Sequence, residues 1–310
     1  MSTRPALTVV RTPDKPGPGP MPEPLLRAMD LTIGRRIEGF LSGDYRANVP
    51  GLGTELARIR PYDTGDDPRR IDWNATARTG ETHVRVQIAE RSLATWLVLD
   101  TSPSMNFGTT IRRKADTAEG VAMAVAHAAT RRGNRLGALT FGGPRIEAVP
   151  PKQGRAGLLA VLEGLRREAP ADGVSGPGLE GALAQLAVVA KQRGLIVVVS
   201  DFRGPNGWQQ PALALASRHA VLAIEIRDPR EQELPNAGEL HLVDPESGRL
   251  LRVDTSDRKL RERFAAAAAE DRATVARDLR NAGIDHLVLS TDGDWLRMLA
   301  LHLRKKGTHL

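Results

Sequence analysis

Leu97–Met105 reads LVLDTSPSM, and this stretch decides the fold. An apolar run ends at Asp100, and Ser102 and Ser104 follow at alternating positions. Residues 95–99 have the composition of a strand buried on both faces, and such strands belong to parallel sheets covered by helices. The loop after a strand of this kind is where open α/β sheets place their ligands. An aspartate and two hydroxyls there are oxygen donors, which hard divalent cations prefer; Mg²⁺ commonly retains several waters as well. The same three side chains support a second reading, in which they cap backbone amides at a strand-to-helix turn.

The pattern continues outward from this strand. Apolar, β-branched runs predict further strands at 136–141, 195–199, 220–226 and 286–289, with 146–149 as a hairpin partner of 136–141. Helical periodicity is expected at 114–129, 155–167, 179–191, 208–217, 258–282 and 295–303. Segments 239–243 and 250–253 flank PESG and read as a hairpin. Alternating strands and helices with short connections predict an α/β fold: an open, mostly parallel sheet with helices on both faces. Its crossovers are right-handed. This body is expected to span 91–305.

A second strand, IVVVSDF, also ends in an acid, Asp201. If 95–99 and 195–199 are neighbours, Asp100 and Asp201 leave the same sheet edge, and with Ser102 and Ser104 they form an oxygen shell. Asp172, Ser175 or water would supply a further ligand. The competing reading has both acids capping turns, with Asp201 paired to Arg203 or another arginine, because two nearby carboxylates at a partly buried edge repel unless neutralised.

The first 90 residues differ. Residues 1–21, with alternating Pro16–Pro20, are expected to be a disordered tail. Residues 22–90 divide into an N-terminal helix, carried by apolar positions from Leu25 to Leu41, and a turn-rich charged region with a strand at 82–87. There Asp63, Asp66, Asp67 and Asp72 lie among Arg58, Arg60, Arg69, Arg70 and Arg78. Bidentate arginine–carboxylate pairing would make this a surface salt-bridge lattice. The alternative is a docking surface of Asp66, Asp67, Arg69, Arg70 and Asp72 with Trp73 as its anchor. Trp73 reads equally as the local core, and is then expected to be largely buried.

Composition narrows the function classes. The 310 residues hold no cysteine, which excludes disulfides, thiolate metal ligation and cysteine catalysis. The formal charge is +7, and aromatics are only 4%. Base stacking is therefore a poor expectation, and no nucleic-acid motif accompanies the charge. An acidic protein partner or peripheral contact with an anionic membrane surface is compatible with it. No apolar run is long enough to span a bilayer, and the proline-rich start lacks an apolar signal core, so a cytoplasmic location is expected. There is no GxxxxGK[ST] phosphate loop.

Two resemblances arise from these residues. Asp100-x-Ser102-x-Ser104 resembles the first segment of the metal-ion-dependent adhesion site of von Willebrand factor A-type domains, and Asp201 resembles that site's later aspartate. RPYDTGDDPRRID, from Arg60 to Asp72, with Trp73, Ala77, Arg78 and Glu90, resembles the bacterial "domain of unknown function 58" proteins over roughly 25–305. The resemblance implies a von Willebrand factor A-like body and a MoxR-like AAA+ ATPase as partner, with the chain as an adaptor acting on unknown protein clients. It also implies a Mg²⁺ or Mn²⁺ ion at Asp100, Ser102, Ser104 and Asp201, completed by a partner's carboxylate. Pro177 stands where the adhesion-site family has a threonine, and proline has no side-chain oxygen. Ser175 is the nearest replacement, so the ion is expected to be weakly held or absent. A metal-dependent hydrolase or nuclease, and a structural domain with a vestigial metal site, are the alternative functions.

Overall fold

The computed structural model describes residues 17–23, 55–88, 94–131, 134–153 and 176–306. The expected helices at 25–41 and 155–167, Glu90, and the candidate ligands Asp172 and Ser175 lie outside the described residues. The chain divides into two compact units, Phe40–Ser92 and the remainder.

In the larger unit, β3 (Ala94–Asp100) is the centre of a six-stranded sheet. The other strands are β4 (Arg135–Phe141), β5 (Glu147–Gln153), β6 (Gly194–Ser200), β7 (Ala220–Arg227) and β10 (Asp285–Ser290). Their order is β10-β7-β6-β3-β4-β5, parallel throughout except for the antiparallel edge strand β5. β3 and β6 are buried along their whole length, as their unbroken apolar runs require.

Side-chain alternation splits the core between two faces. Trp96, Val98, Ile196, Val198, Val221 and Ala223 pack with residues of α3 (Leu179–Val189), α4 (Gln209–Ala216) and the end of α5 (Arg258–Asn281). The intervening Leu97, Leu99, Val197, Val199, Leu222 and Ile224 are equally buried. α2 (Lys114–Arg131) contacts β3, β4, β6 and β7, and α6 (Trp295–Lys306) contacts β10 and α2. A separate hairpin, β8 (Glu239–Val243) with β9 (Leu250–Asp254), completes the unit. Among the described residues, no helix is long and apolar enough to cross a membrane.

Part of the expected disordered tail is packed instead. The indole Nε1 of Trp295 donates to the Pro18 carbonyl at 2.8 Å. Gly120 makes room for this contact, since a Cβ there would fall within 3 Å of both the Trp295 ring and Pro18.

The smaller unit is built on an antiparallel pair, β1 (Glu55–Pro61) and β2 (His83–Ile88), joined through a short helix α1 (Trp73–Thr79). Asp72 caps α1 by accepting from the amides of Asn74 and Ala75, each at 3.0 Å, and receives Arg85 Nε at 2.9 Å. Gly80 ends the helix at φ 74°. Asp66 takes both terminal nitrogens of Arg60 at 2.7 Å, and Asp67 caps the turn Pro68–Arg70 through the Arg69 amide. The hydrogen bonds from Arg60 and Arg85 hold Asp66 and Asp72, respectively, below the usual carboxylate range. The lattice of acids paired with arginines and amides is therefore present in the connection from β1 to α1.

Trp73 is not the core of this unit. It is 70% exposed, because Asp72 places it at the first position of α1, while Ala75 points inward. Trp73→Ala is accordingly expected to change stability by less than about 0.5 kcal/mol, the range of ordinary surface substitutions. A urea midpoint displaced by more than that would return the indole to a structural role.

Candidate functional site

The parallel pairing of β3 with β6 runs through Leu99 and Val199, so Asp100 and Ser200 leave the sheet side by side. The Ser200 hydroxyl donates to Asp100 Oδ2 at 2.5 Å, and the Ser102 amide donates to Oδ1 at 2.9 Å. The Ser102 and Ser104 hydroxyls lie 3.0 Å apart. Asp201 Oδ1 accepts from the Arg203 amide at 3.0 Å. Next to it, Phe202 adopts φ 54°, a conformation uncommon for a bulky residue, held by its amide donating to Ser200 Oγ at 2.9 Å. The sequence-predicted Asp100, Ser102, Ser104 and Asp201 thus meet at one sheet edge. All four are buried.

What covers them was missed in the sequence. Lys114, the first residue of α2, is completely buried and directs Nζ to Asp201 Oδ2 and Glu231 Oε1, both at 2.6 Å. A lysine opposes the positive end of a helix, so its place at a helix start signals a strong local partner. Glu231 closes the turn Pro229–Glu231 after β7, and its other oxygen accepts from the Asp228 amide. From the β8–β9 hairpin, Glu246 Oε1 accepts from the Ser104 amide at 3.1 Å.

Asp228 is a third strand-end acid, following β7 in the sequence IEIRD as Asp201 follows β6. It is fully buried and accepts from the Thr109 amide (2.9 Å), the Thr109 hydroxyl (2.6 Å), the Thr291 hydroxyl (2.7 Å) and the Arg230 amide (2.9 Å). Arg112 Nη1 also donates to the Gly293 carbonyl at 3.1 Å. The loop from β3 to α2 is therefore tied to the ends of β7 and β10. Phe107 and Ile111 of that loop remain exposed.

The electrostatics divide the acids. Burial, aided by the charge of Asp201, pushes Asp100 up to about 7. Burial alone would raise Asp201 too, but the Lys114 ammonium holds it below the usual range. Lys114 is raised, because the attraction of Asp201 and Glu231 outweighs its burial. Asp228 would be raised by burial and is held low by its hydrogen bonds, first those from Thr109.

Asp100 makes a pH signature. Its folded pKa lies above its unfolded value of 3.8, so the folded state binds the extra proton between those values. That stability is complete below about 4 and lost as pH rises through about 7, amounting to ~4 kcal/mol at most. Asp100→Asn is expected to flatten the dependence of unfolding free energy on pH across this window. A variant with the wild-type slope would assign the proton elsewhere.

Near the register of Pro177, the backbone rather than a side chain supports the edge. The Gly142 amide donates to the Pro177 carbonyl at 3.1 Å. Gly142 has φ 86°, and a Cβ there would lie 2.5 Å from the Ser102 nitrogen. An open groove of about 480 Å³ adjoins the cluster, lined by Asp201, Arg203, Arg227, Glu231, Phe264 and Asp271 among others. Among the described residues, no three histidines, aspartates or glutamates are grouped as a metal-binding set. The candidate residues Asp66, Asp67, Arg69, Arg70, Asp72 and Trp73 belong to the smaller unit.

The model of the family described as "Protein of unknown function DUF58" matches residues 58–274. The chain belongs to the DUF58 family. This DUF58 protein is 45% identical over 273 residues to the uncharacterized protein Rv1480 of Mycobacterium tuberculosis, covering 87% of this chain and 85% of that protein. The uncharacterized protein Mb1516 of Mycobacterium bovis matches to the same extent. Among solved structures, a conserved hypothetical protein BatB from Bacteroides thetaiotaomicron superposes with a TM-score of 0.45 at 12% identity, over 70% of this chain and 99% of that one.

Proposed function

We propose that this DUF58 chain is a protein-interaction module that docks through the C-terminal edge of its sheet and serves as an adaptor for a MoxR-like AAA+ ATPase. The observation that carries the reading is the convergence of the ends of β3, β6, β7 and β10 on one loop, 101–113. Asp228, Thr291 and the β3–β6 pairing hold that loop, and it presents Phe107 and Ile111 outward. Exposed apolar side chains on a rigidly held loop are suited to anchoring a protein partner. In this reading the body is von Willebrand factor A-like, in keeping with the strand-end acids and the serine pair. ATP chemistry belongs to the partner, in keeping with the lack of a phosphate loop in the sequence. The adaptor assignment rests on the DUF58 membership and on what the family resemblance implies.

The test is direct binding of the purified chain to a purified MoxR-like ATPase from the same organism. Ile111→Glu is expected to weaken binding at least about tenfold, equivalent to ~1.4 kcal/mol, without moving the thermal midpoint. Absence of binding by the wild type contradicts the adaptor reading. Binding that survives Ile111→Glu but is lost in Trp73→Ala moves the docking surface to the smaller unit.

A further inference from the structure

We infer that the Lys114 ammonium is the resident cation of this sheet edge, standing in place of a divalent ion, so that the site is built and kept without metal. The oxygen donors Asp100, Ser102, Ser104 and Asp201 are of the right chemical type for Mg²⁺ or Mn²⁺. Their arrangement is already committed. Asp201 Oδ2 holds Lys114 Nζ at 2.6 Å, and its Oδ1 holds the Arg203 amide. Both oxygens of Asp100 accept hydrogen bonds from neighbours, and the two serine hydroxyls engage one another. The ammonium is completely buried and reaches a second carboxylate, Glu231, at 2.6 Å. A divalent ion shared with Asp201 would lie within a few ångströms of this fixed positive charge. Inside a protein, where screening by water is weak, that repulsion is severe.

The geometry also explains why one lysine suffices. A compact ammonium donates three hydrogen bonds from a single point, as a small cation gathers oxygens around itself. Lys114 enters from the start of α2, so the charge is delivered by the helix that covers this face of the sheet. Glu246 closes the side of Ser104 from the hairpin, placing a carboxylate of the chain itself where an outside acid would approach. The substitution is thus internal on both counts, cation and carboxylate.

The inference concerns the same edge as the proposed docking function but is tested apart from it, with the metal alone and no partner. The full chain is titrated with millimolar Mn²⁺ and followed by electron paramagnetic resonance, and its thermal midpoint is measured with Mg²⁺ and with EDTA. The wild type is expected to leave all the Mn²⁺ free and to show one midpoint in both buffers. Lys114→Ala vacates the ammonium's position and is expected to gain Mn²⁺ binding, lost again when Asp201→Asn is added. Stoichiometric Mn²⁺ binding by the wild type that Asp201→Asn abolishes overturns the inference. A folded Lys114→Ala protein that stays blind to Mn²⁺ also overturns it, because the ammonium would then not occupy a cation position. If Lys114→Ala does not fold, the wild-type titration decides alone. ATPase binding is a separate readout, so failure of the adaptor reading leaves this result standing.

Discussion

Lys114→Met is expected to cost ~3–5 kcal/mol, the usual consequence of removing one partner from a buried ion pair. Methionine keeps the stem and most of the volume, so cavity formation is a minor contribution. What disappears is the charge between Asp201 and Glu231, both buried in part or whole. The two carboxylates are then left facing each other without the donor that both use. Equilibrium urea unfolding at neutral pH should show a lowered midpoint with little change in slope, the mark of lost stability rather than altered compactness. The loss should shrink in acid, where carboxylates take up protons. An unchanged midpoint would show that the ammonium does not hold the edge together.

Asp228→Ala is expected to cost about 3 kcal/mol or more, since hydrogen bonds to a charged group are each worth ~1.5–3 kcal/mol and unpaired buried donors add their own penalty. It strands the Thr109 amide and hydroxyl and the Arg230 amide at once, and leaves the Thr291 hydroxyl only its contact with the Thr110 hydroxyl. The effect should be local as well as global. Hydrogen exchange should rise first in residues 101–113 and at the Thr291 turn, ahead of the central strands. The folded pKa of Asp228 is lowered, so its contribution is present above the unfolded value and lost as pH falls through the folded one. Asp228→Ala should therefore remove some of the wild type's sensitivity to acid. Uniform exchange across the whole chain would show that the loop has no independent tie.

β3 and β6 were legible because burial on both faces leaves an unbroken apolar run in a single line of sequence. The alanine-rich α5 and the edge hairpin of β4 with β5 were visible through local periodicity. β1 and α1 were not, because the smaller unit draws its order from arginine–carboxylate pairs and caps, which have no period. The choice between core and exposed anchor for Trp73 stayed open in the sequence for the same reason: the Asp72 cap sets its direction, and the exposed indole removes only the core reading.

In the site, Asp100 and Asp201 were found because each follows an apolar strand. Asp228 follows the same pattern in β7 and could have been found that way. Lys114, Glu231 and Glu246 could not be linked to the edge from spacing, since they come from a helix start, a short turn and a distant hairpin. Only the folded sheet brings these segments to one point. The oxygen shell was therefore readable, while the charge that balances it was hidden in the tertiary structure. The one local hint was a lysine at the unfavourable end of a helix.

The most direct measurement is a crystal structure of the full chain grown near neutral pH with MnCl₂, with anomalous data collected above the manganese edge. The expected result is continuous density for an extended Lys114, its Nζ between Asp201 and Glu231, and no anomalous peak near Asp100, Ser102 or Ser104. An anomalous peak coordinated by those residues, with the Lys114 side chain turned away from Asp201, would contradict the account.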